Sequence, residues 1–436
     1  PPLSQIVSTY PADTHHPLYS ILAHVSMAIF GESPWVVRLP AVLFGVATIP
    51  ALYALARQVS GRAEALTACV LLTVSFHHVW FSQNARGYTA LAFFATLCSY
   101  ALLRGIQEQR ARWFGLYACL VGLAAYTHLT IVFMAVGHAL LCAWIMVGPG
   151  RRRRSSDWRL PLLAFAGGAV LTVLLYLPML DEVLWWYLYR PSELLGVSTP
   201  SWALVEGIRV LALGLGVNPI LLAAGSAVFI AGLVSLWRQN AIVVGIIALP
   251  AIVTLAGALL ARGTMYPRFF FFLAGLLILV AVRGAIVAGA WTAARLRVPA
   301  ARHKLLGYAL AAAVIAASAP SLGYNYAYPK QDFDGAIAHV QSARQANEAV
   351  LIAGAHYPYS TYYQLDWQPI SSVEEVAVRR HAGLPVWVVY MQPRYIEKDA
   401  PGLVAAIEAE CVDRRAFHGT VGGGEIIVCR LPSRAY

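Results

Sequence analysis

Residues 241–260 read AIVVGIIALPAIVTLAGALL, twenty positions without one charged side chain. As a helix this stretch rises about 30 Å, the depth of a bilayer's hydrocarbon core. A helix on the surface of a soluble protein needs a polar stripe, and this stretch offers none. The same pattern recurs on both sides of it. Apolar runs fall at 41–56, 63–80, 88–104, 113–130, 131–147, 159–178, 218–236, 267–283 and 305–322. With 241–260 they predict a polytopic α-helical membrane protein of about ten spans. The runs 113–130 and 131–147 form one continuous stretch, divided at Tyr126-Thr127-His128.

Composition agrees. Of 436 residues, 59% are hydrophobic and 12% charged. A soluble domain carries roughly 25% charged residues, so lipid has to cover much of this surface. A formal net charge of +11 is of the sign that nucleic-acid binding needs, but its placement excludes that reading. The bases sit in short loops between apolar runs.

Those bases also set the orientation. Alternate loops collect Arg57 and Arg62; Arg104, Arg110 and Arg112; Arg151–Arg154 with Arg159; Arg238; and Arg283, Arg295, Arg297, Arg302 and Lys304. The positive-inside rule makes that face cytoplasmic. The stretch 1–38, residues 81–88, the turn at 126–128, the loops 179–217 and 261–267 and the tail from 323 then lie outside. Two short segments, 17–30 and 202–216, read as interfacial helices. Counting 17–30 as a span would invert every later assignment.

Three regions follow: an outer-face stretch 1–40, a transmembrane domain 41–322 and an extracytoplasmic α/β domain 323–436. In the last, a helix over 332–346 starts at Asp332 or Asp334. Strands are expected at 349–353, 385–391 and 425–431, and a second helix at 401–411. Cys411 and Cys429 flank two of these elements, where an oxidising compartment allows a disulfide; two free thiols are the alternative. Cys69, Cys98, Cys119 and Cys142 lie in spans and read as packing residues. No Cys or His spacing suggests zinc, and no metal or cofactor is expected, although dependence on a divalent metal stays open.

Polar residues gather at the outer ends of the spans, where they point to function. The clusters are Asp13-Thr14-His15-His16-Pro17-Leu18-Tyr19, Ser82-Gln83-Asn84-Ala85-Arg86-Gly87-Tyr88, Tyr126-Thr127-His128 and Tyr266-Pro267-Arg268. Arg86 and Arg268 suit a phosphate clamp, because a guanidinium grips two oxygens at once. Tyr88, Tyr266, His15, His16 and His128 supply rings at headgroup depth, and Asp13 supplies a carboxylate. Each has a plainer role as well. Asp13 could cap the helix after it, and the arginines could snorkel to headgroups. Tyr88 and Tyr266 could belong to the aromatic belt, and His128 could fill a turn. Asp181, Glu182 and Glu193 could touch an acceptor or form a solvated loop. On these residues alone a lipid-linked transferase and a transporter both stand.

The clusters resemble the membrane glycosyltransferases of the GT-C class, and family 39 in particular, the protein O-mannosyltransferase and aminoarabinose transferase group. Asp13–Tyr19 is similar to their D-x-H-P-P-L-Y segment, with His16 in place of the first proline. Phe30-Gly31-Glu32-Ser33 and Arg38-Leu39-Pro40 resemble the stretch that follows. Ser82–Tyr88 is similar to S-Q-x-A-R-x-Y, Tyr126–His128 to Y-T-H, and Pro267-Arg268-Phe269 to P-R-Y with Phe for Tyr. The resemblance covers roughly residues 10–290. It implies transfer of a sugar from a polyprenyl-phosphate donor to a glycan, lipid or protein acceptor at the outer leaflet of an inner or plasma membrane, with inversion. It also implies Asp13 as carboxylate, Arg86 and Arg268 as clamp, and His15, His16, Tyr88, His128 and Tyr266 as lining. Family members carry an acidic pair ahead of the H-P-P segment, and nothing before Asp13 is acidic here. The expectation is that N-terminal residues are missing. The competing reading is a transporter or flippase of lipid-linked sugar. No internal repeat is found, and the polar groups sit at span ends rather than at the midplane; both weigh against it.

Overall fold

The computed structural model describes residues 1–11, 15–147, 157–189, 202, 205–209, 219–260, 266–380 and 385–433. The chain divides into two compact units, Pro1–Leu322 and Gly323–Tyr436.

The first unit is a helical bundle. Its helices are α1 (Leu3–Ser8), α2 (Pro17–Phe30), α3 (Pro34–Val59), α4 (Arg62–Thr73), α5 (Phe76–Ser82), α6 (Tyr88–Glu108) and α7 (Ala111–Thr127). There follow α8 (Ile131–Val147), α9 (Arg159–Tyr176), α10 (Leu180–Leu184), α11 (Pro219–Gln239), α12 (Ala241–Leu260), α13 (Ala274–Arg295) and α14 (His303–Ala327). The chain is a polytopic membrane protein. Among the described residues seven helices are long and apolar enough to cross a bilayer, or eight if the bent pair α4–α5 counts as one span. That is fewer than the ten expected. Helices α7 and α8 have 17 residues each, a rise of about 26 Å against a core of about 30 Å. The run at 63–80 bends by 58° between Thr73 and Phe76. The stretch 113–147 does break after Thr127. Most of 202–216 lies outside the described residues.

Helix α8 shows how the bundle closes. Pro250, inside α12, has no N–H for the carbonyl of Ile246 one turn back. His138 lies next to that carbonyl, and its Nδ1 lies 3.1 Å from the Tyr117 hydroxyl. Gly137 lets the helices approach this closely. A methyl group there would stand 2.5 Å from the backbone nitrogen of Pro250.

The second unit holds α15 (Phe333–Ala343), β1 (Ala349–Ala353), β2 (Gln368–Ile370), α16 (Val373–Arg379) and β3 (Val386–Met391). It continues with α17 (Pro393–Asp399), α18 (Leu403–Ala409), β4 (Asp413–Phe417) and β5 (Ile426–Leu431). The sheet order is β2-β1-β3-β5-β4. β1 runs parallel to β2 and β3, and β5 is antiparallel to β3 and β4. One face buries Val350, Ile352, Trp387 and Val389 under α15. The other buries Leu351, Val388 and Tyr390 under α16, α17 and α18. Asp332 starts α15, its carboxylate accepting from the Gly335 N–H at 2.9 Å. Cys411 and Cys429 form a disulfide.

Candidate active site at one end of the bundle

Helices α6 and α7 pack against each other, so the start of α6 and the end of α7 lie at the same end of the bundle. The segment before α2 brings His16 to that end. His16 is 6% exposed and its Nδ1 lies 2.9 Å from the Thr127 carbonyl. A carbonyl only accepts, so Nδ1 carries the proton and Nε2 keeps its lone pair. His128 is arranged the opposite way. The Thr130 N–H donates to its Nδ1 at 3.3 Å, which leaves the proton on Nε2. The rings of His16, His128 and Tyr88 form a triangle with centroid separations of 4.8, 5.4 and 5.6 Å.

Gly87 makes this triangle possible. A methyl group at that position would stand 2.8 Å from Thr127 Cγ2 and 3.2 Å from His16 Nδ1. Sequence reasoning gives Gly87 no role; its place between Arg86 and Tyr88, just before a helix, is the signal that was available.

Arg268 arrives from a third direction. It lies in the 3-10 segment Pro267–Leu273, which packs on α6. Phe271 of that segment meets Phe81 at 4.2 Å, and Phe81 meets Tyr88 at 5.0 Å. The charges of Arg86 and Arg268 both reach His16 and His128. Burial lowers the His16 pKa to about 4, with the two arginines adding to the effect and the Thr127 bond opposing it. The Arg268 guanidinium lies 4.0 Å from the Tyr266 ring centroid, and its Nε is buried without a hydrogen-bond partner among the described residues. Among those residues neither Arg86 nor Arg268 forms a salt bridge with a carboxylate.

The structure therefore brings together His16, Arg86, Tyr88, His128 and Arg268, with Tyr266 beneath Arg268. His15 faces elsewhere. Its Nε2 lies 3.3 Å from the Ile6 carbonyl and its ring meets Tyr10 edge-on at 5.7 Å. Burial lowers the His15 pKa against the pull of that carbonyl and of Glu182. Glu182 accepts from the Tyr10 backbone N–H, so it is more than a solvated loop residue: it ties the segment ahead of His15 to α10. Asp13 and Glu193 lie outside the described residues. Among the described residues no three His, Cys, Asp or Glu side chains gather where a metal ion could be held.

Such a site suits an anion: two cations with fork geometry, a donor at His128 Nε2 and an acceptor at His16 Nε2. Comparison with known proteins finds a similarity in this region. Residues 14–180 match the family model described as dolichyl-phosphate-mannose-protein mannosyltransferase. The resemblance to family 39 glycosyltransferases noted in the motifs thus appears independently over that stretch. A search of curated proteins gives no match. Among solved structures the chain is similar to ArnT from Cupriavidus metallidurans in the apo state, with TM-score 0.49, 13% identity, and 98% of this chain and 91% of that chain covered. It is also similar to ArnT from the same organism bound to undecaprenyl phosphate, with TM-score 0.40, 14% identity and the same coverage. A third is the archaeal oligosaccharyltransferase AglB from Archaeoglobus fulgidus, in complex with an inhibitory peptide and a dolichol-phosphate. There the TM-score is 0.49 and the identity 12%, with 98% and 69% covered.

Proposed function

We propose that this chain is a membrane glycosyltransferase that moves a sugar from a polyprenyl-phosphate donor to a glycan, lipid or protein acceptor, with inversion. One observation carries the reading. Arg86 and Arg268 bear on a pair of neutral histidines at one end of a membrane bundle, and among the described residues no carboxylate balances either charge. The family match over residues 14–180 supports it.

In this reading the phosphate of the donor lies between Arg86 and Arg268, and the His128 Nε2–H donates to one of its oxygens. The acceptor oxygen or nitrogen attacks the anomeric carbon as the bond from that carbon to the phosphate oxygen breaks. The electron pair leaves with the phosphate, where the two guanidinium groups stabilise the growing charge. Asp13, three residues before His16, takes the acceptor proton as base. His16 Nε2 accepts a hydrogen bond from a substrate hydroxyl, and Tyr88 and Tyr266 fix the walls. The site faces the outer leaflet of an inner or plasma membrane, and the C-terminal unit lies outside the cytoplasm. The loop arginines support this side, as does the disulfide, since such bonds persist in oxidising compartments.

The test is transfer of radiolabelled sugar from polyprenyl phosphate in membranes. Arg86→Ala and Arg268→Ala should each lower transfer at least a hundredfold while the protein still purifies as a folded species. Unchanged transfer in both variants rejects the clamp. For the side of the membrane, Asn84→Cys should react with an impermeant thiol reagent added outside and Gln107→Cys should not; the reverse pattern inverts the orientation.

A further inference from the structure

In the second unit the chain leaves β1 through His356-Tyr357-Pro358-Tyr359-Ser360-Thr361-Tyr362-Tyr363. Pro358–Tyr362 form a single π-helical turn, and the Tyr363 N–H donates to the Pro358 carbonyl at 3.1 Å. Two of the four tyrosines fasten it. Tyr359 is buried, stacks on Trp367 at 5.1 Å and meets Phe333 at 5.4 Å. Tyr363 packs on Phe333 at 6.1 Å and hydrogen-bonds Asp334.

The other two tyrosines point outward. Tyr357 is 69% exposed and Tyr362 74%. A turn closed by a five-residue hydrogen bond sets residues five apart on the same side, and such turns recur at functional sites. Tyr357 and Tyr362 therefore present two rings on one face, held from beneath before any ligand arrives. Their neighbours His356, Ser360 and Thr361 are exposed too. Rings interleaved with hydroxyls and an imidazole match a pyranose, whose C–H face covers an aromatic ring while its rim hydroxyls bond to polar groups. An acyl-chain surface needs contiguous apolar side chains, and Ser360 and Thr361 interrupt this one.

The topology of the sheet points to the same place. The turn after β1 packs on the α15 face, through Tyr359. The chain leaving β3 packs on the opposite face, through Ile396, Leu403 and Ile407. Carboxyl ends of parallel strands whose connections diverge are where α/β sheets bind ligands. At the end of β3, Gln392 holds a left-handed backbone with φ 54°, a conformation costly for a side-chain-bearing residue and common at binding sites.

We propose that Tyr357 and Tyr362 form a stacking platform for a hexose unit of a glycan acceptor. The binding claim stands alone; the word acceptor rests on the transferase reading. The test uses the full chain in nanodiscs, titrated calorimetrically with maltotriose, cellotriose, mannotriose and chitotriose. At least one should bind. Replacing both Tyr357→Ala and Tyr362→Ala should weaken that binding at least tenfold, while the two Tyr→Phe changes together keep it. Tyr326→Ala, at a tyrosine 72% exposed outside the turn, should bind as the unaltered protein does. Equal thermal unfolding of all variants shows that exposed rings, not the fold, were removed. The platform is overturned if none of the four sugars binds, or if the double alanine variant binds as well as the unaltered protein. It is also overturned if a fluorophore on Tyr357→Cys is quenched by nitroxide lipids, which would mark a lipid-facing surface. Arg86→Ala should bind the sugar unchanged. Absence of sugar transfer by the unaltered protein would sink the transferase reading and leave the platform standing.

Discussion

The rings of His16 and His128 lie 4.8 Å apart and carry their protons on opposite nitrogens. Both are neutral in this arrangement, and the acid limb of stability should report it. Burial, with Arg86 and Arg268 adding, lowers His16 from 6.5 to about 4. Between those values the unfolded chain binds the extra proton, so stability rises with pH there. The contribution is complete above about 6.5 and fades as pH falls toward about 4. Thermal unfolding in detergent should fall more steeply with acid for the unaltered protein than for His16→Gln across this window. Parallel slopes would show that His16 does not stay neutral.

Gly87→Ala is expected to cost about 1–3 kcal/mol of stability, the usual toll of overpacking. The added methyl group meets Thr127 Cγ2 and His16 Nδ1, so binding of polyprenyl phosphate should weaken as well. Binding and melting temperature that both stay unchanged would count against the close approach of α6 to the histidines.

Charge alone should not satisfy position 268. Arg268→Lys keeps the cation but loses the planar fork and the stacking on Tyr266 at 4.0 Å. Transfer should drop at least tenfold and stay above that of Arg268→Ala. Lysine performing as well as arginine would leave the clamp a simple point charge.

Gly137→Ala places a methyl group against the Pro250 backbone, which has no flexible side chain to yield. A loss of about 1–3 kcal/mol is expected. Gly115 on α7 is the control, since nothing lies within 4 Å of a methyl group there. Gly115→Ala should be neutral or stabilising by a few tenths of a kcal/mol up to about 1. Equal melting shifts for the two variants would argue against the α8–α12 crossing.

In the second unit, Cys411→Ser with Cys429→Ser removes a bond closing a short loop, with a sequence separation of 18. The loss should be about 3 kcal/mol. Denaturant unfolding followed with and without reductant measures it, and indifference to reductant in the unaltered protein would mean the thiols are free.

Much of the bundle is legible in the residues because lipid imposes a strict apolar length. That length rule also explains the excess in the expected count: hydropathy alone does not reveal that α7 and α8 stop at 17 residues, or that Val74-Ser75 bends a run into two helices. In the second unit β1, β3 and β5 stand out as buried apolar strands. β4 reads Asp-Arg-Arg-Ala-Phe and β2 is three residues with a proline. Both are edge strands, where one side needs no apolar signal. For the site, residue type singled out Arg86, Arg268 and the histidines. The division of labour between His15 and His16 depends on backbone direction ahead of α2, which no side-chain pattern encodes. Gly87 escaped because its contribution is the absence of a side chain.

If Arg86 and Arg268 clamp one phosphate as proposed, their two positive charges favour whichever ligand brings more negative charge between them. A sugar-bearing carrier lipid presents a phosphodiester with a single negative charge, whereas the spent carrier ends in a monoester of about −1.5 to −2 at neutral pH. Such a clamp would tighten as the sugar departs. On the proposed clamp, free polyprenyl phosphate is then expected to compete with its own loaded form, and inhibition of transfer by added polyprenyl phosphate would show it.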